Sequence, residues 1–283
     1  MYVMTIKIHL KLPVTSDQIM AIDVLDKAFA TEGLSISRQK IKQLMQKGCV
    51  WLEGAQYTQR LRRAKKLLKK GEVLHCYYDE SVLAVEPQAA SLISDEGEYS
   101  IWNKPFGMLS QGSKWGDHCT IHRWVEKHLK PERPAFIVHR LDRAASGIII
   151  IAHTKKIAAK FSQMFKERKI EKHYAVSVLG NFSDFEGFHS EITTIQHAQE
   201  DKLAVSHVHF LEYHERKNQS LLDVAIETGR KHQIRKHLSI IGYPVVGDRL
   251  YGDKTTNDQD LQLIAISLKF ICPVTEIEKS YRI

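Results

Sequence analysis

Apolar residues in the first eighty positions recur with two different periods. From residue 17 to 30, Ile19, Ile22, Leu25, Phe29 and Ala30 fall mainly three or four apart, which predicts a helix. Ser37 stands where it can cap a second helix, with Ile41, Leu44 and Met45 on its inner face and Gly48 as a left-handed stop. Residues 49–52 read as a strand turned at Glu53-Gly54, and residues 73–78 as another. Residues 81–98, with Pro87 and an acidic patch at 94–98, read as a linker. Beyond Tyr99, strands are predicted over 148–151, 174–179, 206–213, 221–226 and 263–270, and amphipathic helices over 155–168 and 232–241, the second ended by Gly242. Many strands with few helices, in no regular alternation, favour an α+β domain with a mixed sheet. The expected layout is a small α/β domain over 1–80, a linker over 81–98 and an α+β domain over 99–283.

Charge sharpens this division. The net charge is +8, of which residues 1–80 carry +6 and the remaining 203 residues +2. Arg60 to Lys70 alone holds seven basic residues in eleven. A basic front end on a nearly neutral body suggests a module for a polyanion, though a solvated lysine-rich surface has the same composition. The longest uninterrupted apolar run, 147–152, is strand-sized, so no membrane span is expected. The N-terminus lacks the pattern of a secretion signal. Cys49, Cys76, Cys119 and Cys272 lie far apart with no Cys-x-x-Cys pair, which argues against a zinc ribbon or a disulfide framework and fits reduced thiols in a cytoplasm.

Three stretches carry candidate chemistry. In Val138-His139-Arg140-Leu141-Asp142-Arg143, an aspartate sits between two arginines before a buried strand. Nearby positive charge favours an ionised carboxylate, the form that serves as nucleophile or base in glycosidic chemistry. A loop-fixing ion pair is the competing reading. In Thr228-Gly229-Arg230-Lys231-His232-Gln233-Ile234-Arg235, a strand passes through a glycine into a helix start, where Arg230 and Arg235 can clamp a phosphate or pair with a carboxylate such as Asp142. Tyr174 opens a strand within Lys172-His173-Tyr174, either facing a pocket or filling a core.

These stretches, with Asn103-Lys104-Pro105-Phe106-Gly107-Met108, residues 242–252 and residues 263–273, occur in the order and spacing of the RluA-type family of pseudouridine synthases, which the chain resembles from about Tyr99 to Pro273. The first eighty residues resemble the small RNA-binding domain named after ribosomal protein S-four, on Leu25, Ser37-Arg38, Ile41, the turn 47–54 and Lys70-Gly71-Glu72-Val73, although Glu53 stands where asparagine is common. The resemblance implies roles. Asp142 matches the catalytic aspartate, which either attacks carbon 1 of the ribose or takes a proton from carbon 2. Arg140 matches the arginine that fills the space left by the flipped uridine, and Tyr174 the tyrosine that stacks on the base and helps remove the proton from carbon 5. Arg235 matches the arginine paired with the catalytic carboxylate, and Leu263 an apolar residue lining the base pocket. Arg38, Lys42 and Lys47 match the RNA-backbone face of the front domain. Ala145 and Ile264 depart from the family's common threonine and histidine.

An extruded base needs a closed pocket and a filler for the vacated stack. No step is a redox reaction or a hydrolysis, so neither metal nor organic cofactor is expected. The expected partner is RNA, large-subunit ribosomal RNA ahead of transfer RNA, and the expected state a cytoplasmic monomer. Two other readings remain: a non-catalytic RNA-binding assembly factor, and a nuclease or glycosidase. An arginine-flanked aspartate is a poor site for the divalent cation that a nuclease commonly uses.

Overall fold

The computed structural model describes residues 5–199, 202–256 and 258–283 and divides into two units. The first comprises the chain up to Pro87 together with Gln111–Trp124. Its elements are β1 (Lys7–Pro13), β2 (Ile19–Met20), α1 (Ala21–Thr31), α2 (Arg38–Lys47), β3 (Val50–Gly54), β4 (Tyr57–Arg60), β5 (Leu67–Leu68), β6 (Val73–Asp79) and α3 (Glu80–Leu83). An antiparallel sheet runs β1-β6-β3-β4, and β2 pairs with β5 apart from it. Period-two alternation sends Leu10, Leu74, Cys76, Val50 and Leu52 into one core with Ile22, Leu25 and Phe29 of α1 and Ile41, Leu44 and Met45 of α2.

Helix α2 follows its sequence signals. The Ser37 hydroxyl accepts from the Lys40 amide at 3.2 Å, and Gly48 closes the helix at φ 84°. Helix α1 starts later than its apolar period suggests. Gln18 takes φ 63°, and Ile19 and Met20 are drawn into pairing with Leu68 and Leu67. No strand is predicted over residues 7–13, where the structure has β1.

The segment Gln111–Trp124 joins this unit through buried charge. The Asp117 carboxylate receives Arg62 at 2.5 Å and Arg60 at 3.2 Å, and the Asp117 amide donates to the Lys47 carbonyl. Arg60 also donates to the Gly48 carbonyl, and the Trp51 indole to the Lys114 carbonyl. Two arginines of the basic run are thereby engaged within the fold, sharing one carboxylate.

The second unit comprises Gln88–Ser110 and Val125–Ile283. It is built on β7 (Ser91–Asp95), β8 (Tyr99–Lys104), β9 (Phe136–Ile137), β10 (Ser146–Ala152), β11 (Ile170–Leu179), β12 (Thr193–Gln199), β13 (Lys202–His214), β14 (Gln219–Ile226), β15 (Leu263–Ile271) and β16 (Glu278–Arg282). The chain re-enters it along α4 (Ile121–His128), and α5 (Lys155–Lys166) and α6 (Gln233–Ile240) complete it. The ten-stranded sheet runs β12-β13-β14-β11-β15-β10-β8-β7, with β16 beside β15 and β9 beside β10. Pairings among the described residues are antiparallel except β10 with β15, so the sheet is mixed and the fold α+β as expected. Strand β7 occupies part of the stretch read as a linker.

Strand β10 reads Ser-Gly-Ile-Ile-Ile-Ile-Ala because it lies between β15 and β8 with almost every residue buried. Ile148 and Ile150 share a core with Ile157 and Phe161 of α5 and with Tyr99 and Phe270. Gly147 takes φ 109°, and a Cβ there would fall 2.2 Å from the Ala265 carbonyl oxygen. Only glycine permits this approach of β10 to β15.

Candidate active site

Three adjacent strands and one helix converge on a cavity of about 330 Å³ in the second unit. The loop that carries Asp142 leads into β10. Its neighbour β15 begins at Leu263, and the next strand, β11, pairs Tyr174 with Ala265. The turn after β14 passes through Gly229 into α6 and brings in Arg235. Asp142, Tyr174, Arg235, Arg140 and Leu263 all line this one cavity. Tyr174 and Leu263 are buried, and the Asp142 side chain is 22% exposed. Arg140 is exposed at the cavity and makes no hydrogen bond or ion pair among the described residues.

Arg235 is almost fully buried and gives its charge mainly to Asp248. Its Nε and one terminal nitrogen each reach an Asp248 oxygen at 2.6 Å, while the other terminal nitrogen reaches Asp142 at 3.4 Å. Burial works against ionisation of Asp248. Bonds from Arg235 and from the Leu250 and Tyr251 amides overcome it and hold the carboxyl below its usual range. The Arg235 guanidinium also lies 5.2 Å from the centre of the Tyr251 ring.

His232 is the second neighbour of Asp142. Its Nε2 stands 3.8 Å from the carboxylate and its Nδ1 is bonded to the Tyr251 hydroxyl at 3.0 Å. It precedes α6 at φ 56°, an uncommon conformation for a side-chain-bearing residue, which aims the ring at Asp142. Burial lowers the imidazole below its ordinary range; Asp142 works against this and Arg235 adds to it.

Further groups tune the cavity. Burial, and then the Asp142 charge, push the Tyr174 phenol up, so it is neutral at physiological pH. Burial depresses Lys172 to about 8, and no acidic partner meets it among the described residues; its ammonium lies 5.7 Å from the Phe165 ring centre. Burial brings Lys104 down to about 7 against the pull of Asp142, and its ammonium donates to the Pro105 and Met108 carbonyls. Burial takes His139 to about 3, so a neutral ring accepts from the Ile150 amide and fixes the loop ahead of Asp142. Among the described residues, no group of His, Cys, Asp or Glu is placed to share a metal ion.

The basic residues singled out in the first unit fare differently. Arg38 is bound to Asp23 at 2.6 Å and Asp26 at 3.1 Å. Lys47 is bound to Glu86 at 2.7 Å and to the Leu83 carbonyl. Lys42 is exposed and borders a groove with Gln46 and residues 62–67. The face expected from Arg38, Lys42 and Lys47 is therefore partly neutralised by nearby carboxylates, and the open positive surface shifts to Lys42 and the run beside it.

Nothing local in the sequence marks Asp248 or His232 as a neighbour of the carboxylate. Asp248 lies in the matched stretch 242–252, but nothing in its spacing from Arg235 announces a bidentate pair. Lys172 lies beside Tyr174 in a matched motif, yet its lack of a counter-charge is visible only in three dimensions.

A family model described as RNA pseudouridylate synthase matches residues 98–240. A protein described as an uncharacterized RNA pseudouridine synthase, from Aquifex aeolicus, is 32% identical over 254 residues, covering 82% of this chain and 78% of its own. A protein of Nitrosomonas europaea named ribosomal large subunit pseudouridine synthase D is 27% identical over 257 residues, covering 84% and 73%. Among solved structures, human RNA pseudouridylate synthase domain containing 1 shares the fold, with a TM-score of 0.57 at 22% identity over 70% of this chain and 86% of that one. The match over half the chain and the likeness to the Aquifex protein agree with the convergence of strands β10, β15 and β11, and the chain belongs to the RNA pseudouridylate synthase family.

Proposed function

We propose that this RNA pseudouridine synthase acts on uridines of large-subunit ribosomal RNA, with Asp142 as the catalytic carboxylate. The observation that carries the assignment of Asp142 is its half-buried carboxylate in a 330 Å³ cavity, beside Arg235 and lined also by Tyr174 and Leu263. The name of the Nitrosomonas relative supports the ribosomal target.

In the reaction the bond from ribose carbon 1 to uracil N1 breaks and a bond from carbon 1 to uracil C5 forms. C5 loses a proton and N1 gains one, so no electrons are exchanged. A base inside an RNA helix must first be extruded. Arg140, exposed and uncommitted, fills the vacated stack. Tyr174, a neutral phenol, stacks on the base while Leu263 closes the pocket. Asp142 either attacks carbon 1 or removes a proton from carbon 2, with Arg235 holding its orientation. Lys172, an unpaired ammonium in a partly dry cavity, meets negative charge on the substrate.

The front unit serves as an S-four-type RNA-binding module, and the second unit, whose sheet begins with β7, is the catalytic domain. The support for the front module is the order α1, α2, β3 with the Gly48 stop and the basic groove at Lys42 and residues 62–67. The enzyme works in the cytoplasm as a monomer and takes no cofactor.

Two measurements test this reading. Purified protein should release tritium from RNA labelled at uridine carbon 5, and Asp142→Asn should lose at least about a thousandfold in rate, as removal of an essential nucleophile or base does. Unchanged release by that variant would sink the catalytic assignment. Pseudouridine mapping across total RNA, with and without the gene, should show a site lost from large-subunit ribosomal RNA. A loss confined to transfer RNA would overturn the target.

A further inference from the structure

One face of the sheet β1-β6-β3-β4 packs on α1 and α2; the other carries rings and cations. Alternation puts Lys7, His9 and Lys11 of β1 on that outer face, beside His75 and Tyr77 of β6 and Trp51 of β3. His9 and Tyr77 are direct cross-strand partners, stacked at 4.1 Å between centres and 11° between planes. His75 lies nearly parallel to both. Trp115 meets the edge of Tyr77 at 5.6 Å.

Cations frame these rings. Lys114 lies 4.9 Å from the Tyr77 ring centre, and Lys7 4.6 Å from that of Trp115. Acidic groups on the face are already satisfied. Asp79 is bound by Lys7 and by the Ser81 hydroxyl, and Glu53 is bonded to His75. Lys11 and Lys114 are exposed and have no acidic partner among the described residues. Burial, then His75 and Lys114, hold His9 below its ordinary range, so it presents a neutral ring at pH 7.

A solvent-facing side of an antiparallel sheet is ordinarily polar. Parallel rings interleaved with unneutralised lysines offer what a single strand of RNA needs, flat surface for bases and positive charge for phosphates. We infer that this outer sheet face is a second RNA-binding surface, which takes an unpaired strand of the substrate by stacking bases on His9, Tyr77 and Trp115 while Lys11 and Lys114 hold phosphates. In free protein Lys114 lies over the Tyr77 and Trp115 rings; a bound strand supplies a base to the ring and a phosphate to the lysine. The inference rests only on RNA being the substrate, not on the catalytic roles proposed above.

A labelled twelve-residue oligoadenylate tests this, because it contains no uridine to engage the catalytic site. Fluorescence anisotropy on the full chain should show binding. Lys11→Glu/Lys114→Glu should weaken it at least about tenfold and reduce the slope of log affinity against log salt by about 0.7 for each phosphate no longer neutralised. His9→Ala/Trp115→Ala should weaken it at least about fivefold. The lysine pair, being exposed, keeps the test valid if the aromatic pair fails to fold. Absence of binding by the wild type, or affinities within twofold for the folded variants, would overturn the inference. So would a concentration-dependent dimer in sedimentation velocity that the lysine pair abolishes while RNA affinity stays unchanged.

Discussion

Arg235 is clamped by Asp248 through two bonds of 2.6 Å and reaches Asp142 through a third of 3.4 Å. The position of the guanidinium is thus set by Asp248, and Asp142 meets an arginine that is already fixed. Removing either carboxylate should therefore have very different consequences.

Asp142→Asn should fold normally. Its loss leaves the Arg235–Asp248 pair intact, so the melting temperature should stay within about 3 °C of wild type, a change below 1 kcal/mol for a chain of this size. A calorimetric scan beside the tritium assay checks this. A larger fall would mean that Asp142 is a structural anchor.

Asp248→Ala should be damaging in both respects. It strands a buried guanidinium, which costs about 3–5 kcal/mol, or a fall in melting temperature of roughly 6–20 °C. Tritium release by the remaining folded protein should also drop, because Arg235 is no longer held where it meets Asp142. Full activity in a folded Asp248→Ala protein would show that Arg235 needs no second carboxylate.

Lys172 predicts an alkaline limit. With its ammonium depressed to about 8, the charge is present at pH 7 and is lost as pH rises through 8. RNA turnover at subsaturating substrate should fall above pH 8, and Lys172→Arg, which keeps its charge, should move that limit upward. Identical pH profiles for the two proteins would remove Lys172 from substrate binding.

Lys104 makes a distinct prediction about stability. Its folded value of about 7 lies below the roughly 10.4 of an unfolded lysine. Between the two, the unfolded chain holds a proton that the folded chain has released, so stability rises with pH from about 7 toward 10. Urea unfolding should show that rise in wild type and a shallower one in Lys104→Met. Parallel slopes would show that Lys104 keeps its proton when folded.

Gly147→Ala tests the joint between β10 and β15. A methyl group 2.2 Å from a backbone oxygen, at φ 109°, cannot be accommodated without parting the strands. We expect a loss of about 3 kcal/mol or more. The site should suffer too, because Asp142 precedes β10 and Leu263 begins β15. Wild-type melting would show that the strands yield at no cost.

Much of this was legible in local chemistry. Ser37 and Gly48 mark α2 because caps act within one turn, and the alternating or wholly apolar runs mark β10, β11, β14 and β15. Asp142, Tyr174 and Arg235 were legible as a group only through motif order, since each alone has a structural explanation. The pairs Arg235–Asp248 and Arg62–Asp117 were not legible. They depend on where distant turns come to rest, and a sequence does not say which carboxylate a buried arginine will meet. The partners of Arg38 and Lys47 are hidden for the same reason: Asp23, Asp26 and Glu86 lie within reach only after folding.

The allegiance of Gln111–Trp124 matters for anyone who would exchange parts between these enzymes. This stretch falls inside the region matched by the family, yet Asp117 binds it to Arg60 and Arg62 of the front unit. A graft that cut once, at Pro87, would leave Asp117 behind without its arginines and expose those arginines in the excised piece. A transplant that keeps each unit whole has three seams, after Pro87, after Ser110 and after Trp124, and the last runs through the middle of α4.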